Sequence, residues 1–125
     1  MKFKNSTKMT QILDALFRVY EERVPDVRKI TKAMIDREMV SDQTAVVNDH
    51  IAFRTMGVAH LGIASFEKIF LAHGYVRRDY YHFEAKKLDA YWYAPPTSDL
   101  PRIFISELKV ELLSKSTQQI IKKYT

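Results

Sequence analysis

The spacing of apolar residues first changes period between residues 41 and 48. Before it, Ile12, Leu13, Leu16, Phe17 and Tyr20 recur at helical spacing, and Val27, Ile30, Met34 and Ile35 repeat the pattern. A period near 3.6 followed by a period of two predicts helices first and a sheet afterwards. Thr10 is expected to cap the first helix, and Pro25 to open the second at its first turn. Both helices are expected to form a packing layer over about 8–40.

After Ser41-Asp42-Gln43-Thr44, the stretch Asn48-Asp49-His50-Ile51-Ala52-Phe53-Arg54-Thr55 alternates like a strand. Ile51 and Phe53 point one way; His50, Ala52 and Arg54 point the other. Ser65 is expected to cap a helix from Phe66 to His73, with Gly74 ending it in a left-handed conformation. Strands are expected over Tyr75–Phe83, Leu88–Ala94 and Arg102–Leu108. Glu84-Ala85-Lys86-Lys87 reads as a turn, and Pro95, Pro96 and Pro101 bracket a loop. Ser116-Thr117-Gln118-Gln119 has a capping-box pattern, so a short C-terminal helix is expected over about 114–124. The whole reads as one α+β domain: two helices, a β-α-β-β-β module over about 48–110 with a curved mixed sheet, and a final helix.

The chain has no Cys, which removes disulfides and thiolate metal sites. Any metal would take His, carboxylate, carbonyl or water ligands, which points away from structural zinc. The N-terminus is too polar for a signal peptide, and no apolar run approaches a membrane span, so a cytoplasmic protein is expected. The net charge is +5 and the pI about 9.4. The Lys and Arg residues are dispersed, with no stripe, so a solvated surface is expected rather than a nucleic-acid partner. There is no GxGxxG, P-loop, GxSxG or HExxH, which leaves nucleotide binding and serine hydrolysis without support.

His50 is the sharpest candidate for chemistry. It shares a strand face with Arg54, and four residues along a strand span about 13 Å. Arg54 is therefore too far to bond His50 but suits the far end of a ligand held there, since a guanidinium fork grips a carboxylate. By composition alone His50 reads first as a capping or turn residue beside Asn48 and Asp49. Glu107, on the face of Ile103 and Ile105, reads as a metal ligand, an acceptor for a ligand histidine, or an ion-pair partner of Arg102 or Arg54. His60 falls in a loop, His73 at a helix C-terminus and His82 among aromatic residues. Tyr80, Tyr81, Tyr91, Trp92 and Tyr93 read as the aromatic core of a small sheet rather than a base-stacking surface.

The segments Asp49-His50-Ile51-Ala52-Phe53-Arg54-Thr55 and Leu100-Pro101-Arg102-Ile103-Phe104-Ile105-Ser106-Glu107-Leu108, with His73-Gly74-Tyr75 and the Phe83 to Tyr93 hairpin, resemble the 2-oxoadipate dioxygenase/decarboxylase family. That family belongs to the vicinal oxygen chelate superfamily, in which two β-α-β-β-β modules pair around a metal. The resemblance runs from about Thr10 to the C-terminus. It implies Fe(II) held by two histidines and a carboxylate, with His50 as the first-module metal ligand and Arg54 as the substrate anchor. It implies oxygen-dependent decarboxylation of a 2-oxo acid, 2-oxoadipate giving 2-hydroxyglutarate and CO2, in lysine catabolism. The second histidine and the ligand glutamate come, in the family, from a second module that has no counterpart in this sequence. The expected partners are a small 2-oxo acid and O2, with neither nucleic acid nor membrane. The chain is expected to be an incomplete N-terminal module, or to complete its site as a homo-oligomer, or to be a non-catalytic binding module.

Overall fold

The computed structural model describes residue 3 and residues 5–125. Two compact units emerge, residues 1–48 and 49–125. No helix among the described residues is long and apolar enough to cross a membrane.

The first unit holds helices α1 (Lys8–Arg23) and α2 (Pro25–Asp36). The cap of α1 is Thr7, not Thr10 as the sequence suggested. Thr7 Oγ1 accepts from the backbone N–H of Thr10, and Thr10 Oγ1 accepts from that of Thr7. Two threonines three apart thus satisfy each other's orphan donors, and the inner one looks like a cap from sequence alone. Pro25 opens α2 at its first turn, as expected. Asp42 then starts a 3-10 turn over Gln43–Ala45 by accepting from Thr44.

The second unit has the expected element order. Strand β1 is His50–Met56, helix α3 is Gly62–Leu71, and strands β2, β3 and β4 are Val76–Phe83, Leu88–Ala94 and Arg102–Leu108. Helix α4, Lys115–Tyr124, closes the chain. The four strands form one mixed sheet in the order β1-β4-β3-β2. β1 runs parallel to β4, pairing His50 with Arg102 and Met56 with Leu108. β3 is antiparallel to both neighbours, and the β2–β3 register is irregular between Arg77 and Tyr80. The turn before β3 ends on Lys87 at φ 52, a left-handed residue.

One sheet face packs under α3. Phe53, Phe66 and Phe70 meet with ring centroids 5.0–6.0 Å apart, and Phe70 meets Tyr75 edge-on. Ile103, Ile105 and Tyr93 are fully buried. The buried hydroxyls find partners, as they must. Tyr75 donates to the carbonyl of Pro101, and burial pushes its pKa up to about 12. Tyr93 donates to Glu67 of α3 at 2.7 Å, and burial and that carboxylate together raise its pKa.

Two helix starts differ from the sequence expectation. α4 is capped by Ser114, whose hydroxyl accepts from Thr117, rather than by Ser116. α3 begins at Gly62, three residues before Ser65. Its first donors are met from the sheet. Gly62 N–H donates to Thr55 Oγ1 at 3.1 Å, and Ile63 N–H donates to Glu107 Oε2 at 2.7 Å. A cap contributed 44 positions along the chain leaves no local signal. Gly62 is at φ 75, and a Cβ there would meet Glu107 Oε2 at 2.8 Å, so glycine serves both conformation and space.

Glu107→Ala is expected to cost about 1–2 kcal/mol, the usual loss for a helix N-cap acceptor. Urea unfolding would show it as a lower midpoint at unchanged slope; a midpoint equal to that of the parent protein would contradict the cap.

Candidate functional site

The sheet face opposite α3 is built by the other parity of each strand. β1 contributes His50, Ala52, Arg54 and Met56, all exposed. Register places Arg102, Phe104, Ser106 and Leu108 beside them, then Trp92, Ala90 and Leu88 of β3, and Tyr81 and Phe83 of β2. Ala90 and Ser106 are small and buried, and form the floor. At one end of this face lies a hollow of about 670 Å³, lined by Asp49, His50, Asp79, Tyr81, Trp92, Arg102 and their neighbours.

Polar order within the hollow centres on Asp49. Its Oδ2 lies 3.1 Å from His50 Nδ1, and its Oδ1 lies 3.6 Å from an Arg102 guanidinium nitrogen. Its backbone carbonyl accepts from Arg102 N–H at 3.0 Å, where β4 joins β1. On the far wall, Trp92 Nε1 donates to Asp79 Oδ2 at 2.8 Å. Tyr81 packs on Phe104, with ring centroids 5.9 Å apart. The hollow thus combines an aromatic wall with a mixed-charge rim, a usual composition for a small-molecule site.

The structure places His50 in this hollow and Arg54 on the same face, four residues along β1 and beside Ser106. Arg54 does not line the hollow itself. Glu107 is not on this face. It points the opposite way, under α3, where it caps that helix. Its readings as metal ligand, histidine acceptor or partner of Arg102 or Arg54 are therefore corrected: strand parity puts the carboxylate across the sheet from His50, and Arg102 pairs with Asp49.

The remaining histidines are elsewhere. His73 Nδ1 is 2.7 Å from the carbonyl of Ile69, inside its own helix end. His60 is exposed in the loop before α3. His82 joins a cluster on the α3 side of the sheet around Asp89, which no sequence signal marked. Asp89 accepts from Tyr80 at 2.7 Å and Lys109 at 2.9 Å, and lies 2.7 Å from His82 Nδ1. Burial disfavours its ionisation, but the hydrogen bonds from Lys109, His82 and Tyr80 outweigh burial and hold the carboxyl at about 2. The aromatic residues divide between the faces. Tyr93, Tyr91 and Tyr80 lie on the α3 side, while Tyr81 and Trp92 face the hollow.

A β-α-β-β-β unit with β1 parallel to β4, one face filled by its helix and the other carrying a histidine in a hollow is a module of the glyoxalase kind. A protein of Ralstonia eutropha JMP134 assigned to the glyoxalase superfamily superposes on 89% of this chain with a TM-score of 0.73, at 25% identity and over 35% of its own chain. The sequence pattern of the 2-oxoadipate dioxygenase/decarboxylase family matches residues 12–125, and the chain belongs to that family. The 2-oxoadipate dioxygenase/decarboxylase of Arabidopsis thaliana, a chloroplastic protein, is 39% identical over 125 residues, covering 91% of this chain and 33% of that protein. The hydroxyglutarate synthase of Oryza sativa, crystallised with 2-oxoadipate, superposes on 91% of this chain and 38% of its own, with a TM-score of 0.82 and 41% identity. The chain thus spans about a third of the length of the curated relatives it matches.

The Asp89 cluster makes a pH prediction. A carboxyl held at about 2 in the folded chain, against the ordinary 3.8, contributes stability that is complete above pH 3.8 and is lost as pH falls towards 2. Asp89→Asn should remove that share, so the stability difference between parent and variant is expected to shrink from pH 5 to pH 2. A difference independent of pH in denaturant unfolding would count against the cluster.

Proposed function

We propose that this module supplies one metal-binding imidazole and one carboxylate-binding guanidinium to an Fe(II)-dependent site that decarboxylates a 2-oxo acid such as 2-oxoadipate, with O2, to a 2-hydroxy acid and CO2. Supporting this reading most directly is the position of His50. His50 lines the hollow, its Nδ1 is engaged by Asp49, and its Nε2 has no hydrogen-bond partner among the described residues. Membership of the family and the 2-oxoadipate named for the rice relative favour the substrate class.

The donor chemistry of His50 fits one corner of an iron site with nitrogen and oxygen ligands. Among the described residues no group of three or more His, Asp or Glu gathers to hold a metal. The remaining ligands would then come from outside this set, from a further module or from a second copy of the chain. A ferrous ion, when bound, would act as Lewis acid towards the oxo acid and as electron donor to O2. The chain's own residues do the rest. Arg54 would grip the distal carboxylate and fix the orientation of the chain between. Tyr81, Trp92 and Phe104 would line the methylene path and exclude water from it.

The decisive experiment is anaerobic Fe(II) titration of the protein, with its mass in solution, followed by oxygen uptake on 2-oxoadipate. Iron uptake that is lost in His50→Ala, with unfolding changed by no more than about 0.5 kcal/mol, is the expected result. Retained iron stoichiometry in His50→Ala would rule out the ligand role, and no iron uptake by the parent protein would favour a non-catalytic binding module. Arg54→Lys is expected to keep iron and to weaken 2-oxoadipate binding about tenfold, the worth of roughly one forked hydrogen bond. An unchanged affinity for the oxo acid would remove Arg54 from the site.

A further inference from the structure

We infer that Asp49 is the positioning residue of the hollow: it fixes the tautomer and ring orientation of His50 and leaves Nε2 as a lone-pair donor facing the cavity. The inference deepens the reading of His50 given above and rests on it only for the identity of the ligand.

The argument begins with valence. An ionised carboxylate only accepts hydrogen bonds. With Asp49 Oδ2 at 3.1 Å from His50 Nδ1, the hydrogen between them belongs to Nδ1. A neutral imidazole carries one ring hydrogen, so Nε2 then holds the lone pair. The neutral ring otherwise has no reason to prefer this form, and either nitrogen can carry the hydrogen. Asp49 decides between them.

An exposed pair of neighbouring side chains is ordinarily worth little. Both partners here are exposed, His50 at 61% and Asp49 at 72%. What distinguishes Asp49 is that it is held independently of His50. Its other oxygen faces Arg102 at 3.6 Å, and its backbone carbonyl is tied to Arg102 N–H at 3.0 Å. Arg102 is the register partner of His50 across the β1–β4 pairing. Asp49 is thus fixed at its backbone from β4, and its carboxylate faces a β4 guanidinium while it orients a ring on β1. Carboxylates that hold the second nitrogen of a ligand histidine in this way usually change metal affinity by about 10–100-fold.

Nitrogen-15 NMR of the metal-free protein at pH 8 reads the tautomer directly, since the protonated and unprotonated ring nitrogens differ widely in shift. His50→Gln assigns the signals among the four histidines. The expected result is an Nδ1–H ring at His50 in the parent protein, retained in Asp49→Asn, whose amide oxygen still accepts. In Asp49→Ala the ring should move to the Nε2–H form, and Fe(II) affinity should fall at least tenfold. An Nε2–H ring in the parent protein, or an Nδ1–H ring that persists in Asp49→Ala, would overturn the assignment. If Asp49→Ala does not fold, a ring in the Nε2–H form in Asp49→Asn overturns it as well. An Nδ1–H ring set by Asp49 in a protein that takes up no iron supports the positioning role and defeats the iron reading, so the two fail separately.

Discussion

The parallel pairing of β1 with β4 is the constraint on which the second unit rests. It joins segments far apart in sequence: Ser106 of β4 reaches back to the carbonyl of Phe53, 53 positions earlier. Parallel neighbours need a crossover, and here the crossover carries α3 and two further strands. The pairing sets His50 beside Arg102 at one end and Thr55 beside Glu107 at the other. At the first end the two strands build a polar rim on the open face. At the second they offer two acceptors to the start of α3 on the covered face. One register therefore serves both the hollow and the core.

The two faces are made of different chemistry by the same alternation. Towards α3 the strands present Phe53, Ile103, Ile105 and Tyr93, with each buried hydroxyl matched to a carbonyl or a carboxylate. Away from α3 they present an imidazole, two guanidinium groups, aromatic rings and a floor of small residues. Glu67 shows how the covered side tolerates charge: Tyr93 and Arg77 both reach its carboxylate. On the open side, charge is instead left beside water and beside a cavity able to take a ligand.

Much of this was legible in the sequence, because punctuation and alternation agree. β3 begins after Lys87 and ends before Pro95, and β4 begins after Pro101, where a period of two meets those residues. Gly74 is left-handed as its place at a helix end implies. The shared face of His50 and Arg54 follows from parity alone. The misplaced caps of α1 and α4 are local slips between neighbouring hydroxyl residues, Thr10 read for Thr7 and Ser116 for Ser114; the other misreadings come from partnership at a distance. The start of α3 is fixed by Thr55 and Glu107, so Ser65 gave a false local signal. Glu107 was on the right parity, but which parity carries the helix is decided by packing. The pairing of Asp49 with both His50 and Arg102 depends on sheet register, and Asp79 reaches Trp92 across the irregular register between Arg77 and Tyr80. Neither is written in a short window. The Asp89 cluster gathers residues from three stretches for the same reason.

The edge position of β1 also has a kinetic meaning. In the sheet order β1 has β4 as its neighbour, and β4 is the last of these four strands in chain order. Until β4 pairs, β1 and α3 hold an apolar face with nothing permanent to cover it. Closing so long a loop is entropically costly and is paid before the pairing returns anything. The β2–β3 hairpin, local and rich in aromatic residues, can form well before this. Assembly of this sheet should therefore end with the docking of β1, a late step exposed to aggregation and to chaperones. The imidazole comes to its place in that same step, so ripening of the cavity and closure of the sheet are one event.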